Sequence, residues 1–355
     1  SKVYRVRQGV AIAGYGELHY TNYASETESG APANRADAVD FLRAIVYVGY
    51  KFDDRILFNS EIEFEHGGEE VALEFAYLDY LLRPGVGVRA GLLLVPMGFI
   101  NEVHEPPTFL GTTRPETERQ ILPSTWRENG LGVFGAAGPV AFRAYVVNGF
   151  RGSGFGPAGL RGGRQSGARA LAEDLAAVAR VDVSPALGVL VGGSAYLGNA
   201  GQGDTVAGRR VDARTFVAEA HAQVRARGWD VRALGAVATV DDAGDLNALR
   251  GVAPGSSASV GARLLGGYVQ LGYDVLARAG TEHQLIPYVR YEALDTQARV
   301  PAGYAADPAT DRRIWSLGVA WKPIPGVAVK ADAELHRNDA GTGVDRFNLN
   351  VSYLF

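Results

Sequence analysis

Glu61, Glu63 and Glu65 stand at every second position of one short stretch. In an extended chain successive side chains point to opposite faces, so these three carboxylates share one face. In a narrow water-filled passage such a row attracts cations. It also reads as a structural wall paired with Arg43 and Lys51 on the preceding stretch, where each cross-strand pair contributes roughly 0.2–1 kcal/mol. The two roles are compatible. Arg89, Arg143, Arg180, Arg225, Arg232 and Arg290 fall at or near polar faces and supply the material for a basic counter-wall. Acid facing base across a bore would set up a transverse field that orients dipolar solutes. The plainer role of any one arginine is to keep the interior wet.

Covalent chemistry finds little material. The six histidines (His19, His66, His104, His221, His283 and His336) are scattered, and no HExxH, phosphate-binding loop or GxSxG motif occurs. The run Gly152, Gly154, Gly156 lies outside any strand–helix–strand context, so it is not a nucleotide loop. Ser60 and His66 share one parity, which is the single hint of a barrel hydrolase. His66 with Glu63, Glu65 and Glu69 would make a weak divalent-ion cluster, and solvated acids are the commoner meaning of such a group. No catalytic residue, metal or cofactor is therefore expected. The chain has no cysteine, which removes disulfides and thiolate chemistry. A formal charge of -4 gives no bulk attraction to nucleic acid.

The elements that must position these charges are strands. Phe347, Leu349, Val351, Tyr353 and Phe355 alternate with Asn348, Asn350 and Ser352, giving one apolar and one polar wall. The same rhythm recurs at Leu42 to Phe52, Ile56 to Glu65, Thr215 to Ala226, Trp315 to Lys322 and Val327 to His336. There are 46 glycines and 16 tyrosines against one methionine, a bias toward strands. No run reaches the ~20 apolar residues of a membrane helix. No signal peptide is visible at Ser1, so an exported chain would begin here at a processed or engineered start.

Short turns at Asp53-Asp54, 83–85, 138–139, 184–186, 227–228 and 323–326 alternate with long polar loops near 24–38, 96–125, 151–170, 198–210, 241–257 and 294–312. Short turns on one rim and long loops on the other mark a membrane barrel. About 16 strands fit one domain over residues 1–355, with Ala168 to Val183 helical in composition but alternating in its second half. Tyr50, Phe52, Tyr77, Trp229, Tyr291, Trp315, Trp321, Tyr353 and Phe355 lie near strand ends, where aromatic girdles meet the lipid boundary. The bland alternative is a soluble β-sandwich or solenoid.

The stretch from Pro96 to Gly135, with FNSEIEFEH (58–66), AYLDY (76–80) and PYVRYEALDTQ (287–297), resembles the phosphate-selective porin O/P family over nearly the whole chain. The resemblance implies a homotrimer of 16-stranded outer-membrane barrels whose inward-folded loops narrow each pore. That family's basic ring does not carry over: lysines are few, and loop 96–125 sets Glu102, Glu105, Glu116 and Glu118 against Arg114 and Arg119.

The sequence thus points to an all-β transmembrane antiparallel barrel with 96–125 as constriction loop. Five prolines at 96, 106, 107, 115 and 123 stiffen this loop. The expected function is a passive porin, integral to a bacterial outer membrane, that passes small hydrophilic, charged solutes. Its filter would comprise Arg43, Lys51, Glu61, Glu63, Glu65, Glu102, Glu105, Arg114, Glu116, Arg119, Arg143 and Arg290. The expected partners are the lipid bilayer and two further copies of the chain, not nucleic acid. A lipase-like barrel and a non-conducting structural or adhesive barrel are the alternatives.

Overall fold

A computed structural model describes residues 2–355. In chain order the strands are β1 (Gly9–Tyr23), β2 (Ala38–Lys51), β3 (Ile56–Glu65), β4 (Glu70–Arg83), β5 (Val86–Leu94), β6 (Arg127–Ala137), β7 (Val140–Asn148), β8 (Leu175–Val183), β9 (Val189–Gly198), the two-residue β10 (Thr205–Val206) and β11 (Arg209–Arg210), β12 (Thr215–Ala226), β13 (Trp229–Val240), β14 (Arg263–Tyr273), β15 (Gln284–Arg299), β16 (Asp311–Ile324), β17 (Val327–Asn338) and β18 (Arg346–Leu354). The sixteen long strands form one closed antiparallel barrel, while β10 and β11 make a separate hairpin. Closure is between β1 and β18, with Leu18 opposite Val351 and Tyr20 opposite Leu349. The backbones of Gly14 and Phe355 extend that seam by exchanging two hydrogen bonds. Closure leaves no strand edge unpaired, which hydrocarbon requires of any sheet that crosses it.

The alternation sets the two faces as the sequence implies. In β18 Phe347, Leu349, Val351 and Tyr353 are exposed on the outer wall, while Asn348, Asn350 and Ser352 are buried inside. Among the described residues no helix is long and apolar enough to cross a membrane. The segment 168–183 is not helical: its second half is β8, whose Ala176, Val178, Arg180 and Asp182 face inward. The girdle aromatics are exposed except Tyr77, which is buried inside the barrel beneath the Arg89 guanidinium, 3.9 Å from its ring centroid. Outside, Trp229 packs on Tyr273 near one rim, and Tyr291 packs on Trp315.

The rims differ as expected, with two exceptions. On the short-turn rim the connection between β14 and β15 spans residues 274–283, and on the long-loop rim β3 joins β4 through only 66–69. Several long loops fold into the bore instead of standing outside it. Trp126 is fully buried there, stacked on Phe150 at 4.4 Å and against Tyr196 at 4.9 Å.

Candidate functional site: a loop strapped across a charged lumen

The loop between β5 and β6, residues 95–126, crosses the bore as a strap. It carries a short 3-10 turn, Pro106–Thr108, and a five-residue helix, Glu116–Gln120. Its backbone is satisfied from within and from the walls. Asn101 donates to the carbonyls of Val95 and Trp126 and accepts from the Trp126 N–H, clamping the two ends together. Gly98 sits at φ +68°, and a Cβ there would fall 2.5 Å from the Glu118 carboxylate, which accepts the Ile100 N–H. Tyr268 of β14 donates to the other Glu118 oxygen at 2.6 Å.

The strap meets the far wall chiefly by hydrogen bonds. Asp332 of β17 accepts from Thr112 N and Thr112 Oγ1, both at 2.8 Å, and Glu334 accepts from Thr113 Oγ1 at 2.6 Å. Lys330 donates to the carbonyls of Pro106 and Gly111, and Glu292 of β15 accepts the N–H groups of Glu116 and Thr117. On the near wall it presents His104, whose Nε2 lies 2.5 Å from Glu74 and 3.6 Å from Glu61. Burial works against a charged His104, but the two carboxylates overcome it and push its pKa up to about 10. Glu102 reaches Arg143 of β7 at 2.9 Å.

The row on β3 is inward-facing. Arg43 joins Glu17 at 2.9 Å, Glu63 at 3.3 Å and Glu65 at 3.9 Å. Lys51 does not join this row. The antiparallel register sets Arg43 opposite Glu65 but Lys51 opposite Leu57, so Lys51 pairs with Asp54 at the turn instead. Of the arginines read as a counter-wall, Arg180, Arg225, Arg232 and Arg290 pair with acids on their own or nearby strands and not with the row on β3. Arg180 meets Asp182, Arg225 and Arg232 meet Asp230, and Arg290 meets Glu334. Arg89 belongs to the near side, held by Asp79 at 2.7 Å.

Sequence reasoning missed three contributors. Glu74 escaped because a bulge in β4 breaks the alternation there: Glu61 pairs with Phe75 and Ile62 with Leu73, leaving Glu74 as the extra residue. Arg161 and Arg164, on the loop after β7, donate to the strap carbonyls of Ser124 and Thr125. Burial, then Arg164, Arg119 and Arg114, push Arg161 down to about 9. Burial, then Arg127, push Arg164 down to about 10. Both Arg161 and Arg164 remain charged near neutrality. Among the described residues no carboxylate makes a salt bridge to Arg114, Arg127, Arg161 or Arg164, whereas Glu116 is taken by Arg119 and Arg312. Elsewhere, Ser60 donates to the Val48 carbonyl and His66 meets Asp40, so the two hydrolase candidates have separate partners.

Comparison with known proteins places this architecture. The barrel aligns with an outer membrane protein of Vibrio cholerae, the OmpT loop L8 deletion mutant, over 99% of this chain and 100% of that one, with TM-score 0.62 and 12% identity. In-vitro folded OmpT in its trimer form aligns at 0.58 and 13% identity over 99% and 100%. The outer membrane channel DcaP of Acinetobacter baumannii aligns at 0.61 and 12% identity over 98% and 97%. Salmonella typhi OmpF, in complex with daunomycin, aligns at 0.60 and 12% identity over 98% of each chain. The fold is therefore that of the outer-membrane porin barrels. No family model matches the chain, and of the resemblance to the phosphate-selective porin O/P family the neighbours bear out the outer-membrane barrel and not the particular family. In sequence, an Aquifex aeolicus protein described as uncharacterized is 40% identical over 345 residues, 94% of this chain and 77% of that protein. The chain belongs to the family of that Aquifex protein.

Proposed function

We propose that the protein is a passive outer-membrane pore for small hydrophilic solutes, with a preference for anions. The observation that carries this reading is the pinned strap inside a bore whose outer wall is apolar and inner wall charged. The anion preference rests on Arg114, Arg127, Arg161 and Arg164, which gather about residues 123–125 of the strap with no carboxylate at salt-bridge distance. Guanidinium groups crowded together favour any anion that enters between them. The barrel-wall residues Arg43, Glu61, Glu63, Glu65, Arg143 and Arg290 would set the field along the passage. The loop residues Glu102, Glu105, Arg114, Glu116 and Arg119 would set it at the narrowest point, and Lys51 would act only at the rim. By analogy with the trimer-form barrel, the working unit would be a homotrimer, testable by cross-linking in membranes.

Purified protein inserted into a planar bilayer under a KCl gradient tests the proposal. Conductance steps with an anion-selective reversal potential are expected. Arg161→Gln with Arg164→Gln should move that potential toward cation selectivity, and neutralising Glu61, Glu63 and Glu65 together should move it the other way. Insertion without conductance would favour a structural barrel, and hydrolysis of labelled phospholipid would favour an enzyme.

A further inference from the structure

The bulge in β4 has a chemical result. It turns Glu74 inward beside Phe75, where β3 has already placed Glu61, and the strap lowers His104 onto both. One ligand atom from each of the three lies within 4.8 Å of the others. Among the described residues no lysine or arginine makes a salt bridge to Glu61 or Glu74; His104 is their ion-pair partner, the Tyr15 hydroxyl donates to Glu74 Oε2 at 3.4 Å, and Arg114 and Arg43 act on Glu74 from farther off. Glu61 is 9% exposed, and its Oε2 has no hydrogen-bond partner; Glu74 Oε1 has none either. Carboxylate oxygens shielded from water and left unfilled call for a cation. The imidazole is preset to accept one. Its Nδ1 lies 3.1 Å from the Asn101 carbonyl, and an Nδ1–H donated there holds Nε2 toward the carboxylates. That outer hydrogen bond is the usual orienting device of a metal-bound histidine.

We propose that Glu61, Glu74 and His104 form a binding site for a divalent first-row transition metal, of the zinc class, that fastens the strap to the barrel wall. Two carboxylates and a neutral imidazole balance a charge of two, and the mixed nitrogen and oxygen donors suit such ions better than calcium or magnesium. In the metal-free protein a proton on Nε2 fills the place. Binding breaks the Nε2–H bond, forms the Nε2–metal bond and releases the proton to solvent. Donor atoms around tetrahedral zinc stand about 3.3 Å apart, given bonds of about 2.0 Å. Nε2 and Glu74 Oε2, now at 2.5 Å, would therefore separate by less than about 1 Å on binding. A cavity of about 690 Å³, lined by Tyr15, Glu61, His104 and Glu105 among others, leads to the site and leaves room for water as a fourth ligand. The site depends on the fold and not on conduction, so a barrel that passes no ions would leave it standing.

Untagged protein in detergent, stripped with EDTA and freed of chelator, is titrated with Co2+ and then Zn2+. The expected result is one equivalent of Co2+ with visible d–d absorption, displaced by Zn2+. Glu61→Gln should weaken Co2+ binding about tenfold or more, since even an outer-shell partner is worth roughly that much. His104→Gln should abolish the absorption. Glu65→Gln, whose side chain belongs to the Arg43 cluster, should change neither. Absence of Co2+ absorption from the wild-type barrel, or equal binding by the Glu61→Gln and Glu65→Gln variants, would overturn the proposal. Should a variant fail to fold, the wild-type stoichiometry decides alone: one equivalent supports the site and none overturns it.

Discussion

The near wall of the bore, β1–β4, and its far wall, β12–β18, treat buried acid differently. On the far wall Asp230 is met by Arg225 and Arg232, and Glu334 by Arg346 at 2.5 Å and Arg290 at 3.5 Å. Glu292 and Asp332 are met by N–H and hydroxyl groups of the strap. On the near wall Asp79 has Arg89, but a single cation, Arg43, serves Glu17, Glu63 and Glu65, and Glu61 and Glu74 are paired with a histidine that the strap delivers. The far wall is thus largely neutralised by its own strands, and the strap rests there through hydrogen bonds. The near wall carries surplus negative charge, and the strap is held there by charge. One loop is fastened at its two ends by two kinds of force.

The largest expected effect follows from that asymmetry. Arg43→Ala leaves three carboxylates without their shared cation, and stripping one partner from a buried pair costs about 3–5 kcal/mol. The counterpart on the far wall, Arg290→Ala, should cost less, about 1–3 kcal/mol, because Glu334 keeps Arg346 and Thr113. Urea unfolding of the two variants in detergent, followed by the gel shift of the folded barrel, measures both. Equal losses would erase the distinction between the walls.

Much of this was legible in the sequence, for a physical reason. A strand's period of two is rigid, so Phe347 to Phe355 declare their faces, and the surplus of inward charge on β3 is visible at Glu61, Glu63 and Glu65. What could not be read depends on departures from that period or on contacts distant in sequence. Glu74 sits at a bulge, where alternation gives the wrong answer. Lys51 shares the parity of Arg43, yet the register carries it past the acidic row to the turn. Arg161 and Arg164 lie in a glycine-rich loop with no periodicity, and only the folded loop brings them to residues 123–125.

A second, intermediate effect probes how the strap is held. Asp332 accepts from Thr112 N and Oγ1, from Tyr288 at 2.6 Å and from Asn348 at 2.9 Å. Asp332→Ala leaves buried donors unfilled, at about 1–3 kcal/mol, and frees the tip of the strap while its near end stays on Glu61 and Glu74. Single-channel conductance should rise and grow noisier. Unchanged conductance would mean that the near-wall attachment alone positions the strap.

The smallest effect separates a wall from a filter. The Glu65 side chain is 31% exposed and stands 3.9 Å from Arg43, whereas Glu63 is buried at 3.3 Å. An exposed pair of this length is worth about 0–1 kcal/mol, so Glu65→Gln should leave urea stability almost unchanged. Glu63→Gln takes one of the three acids from the buried Arg43 cluster and should act more strongly on both stability and reversal potential. The reverse order in reversal potential would place selection at the mouth. The acidic row would then matter for the ions it gathers there, and its pairing with Arg43 would be incidental to passage.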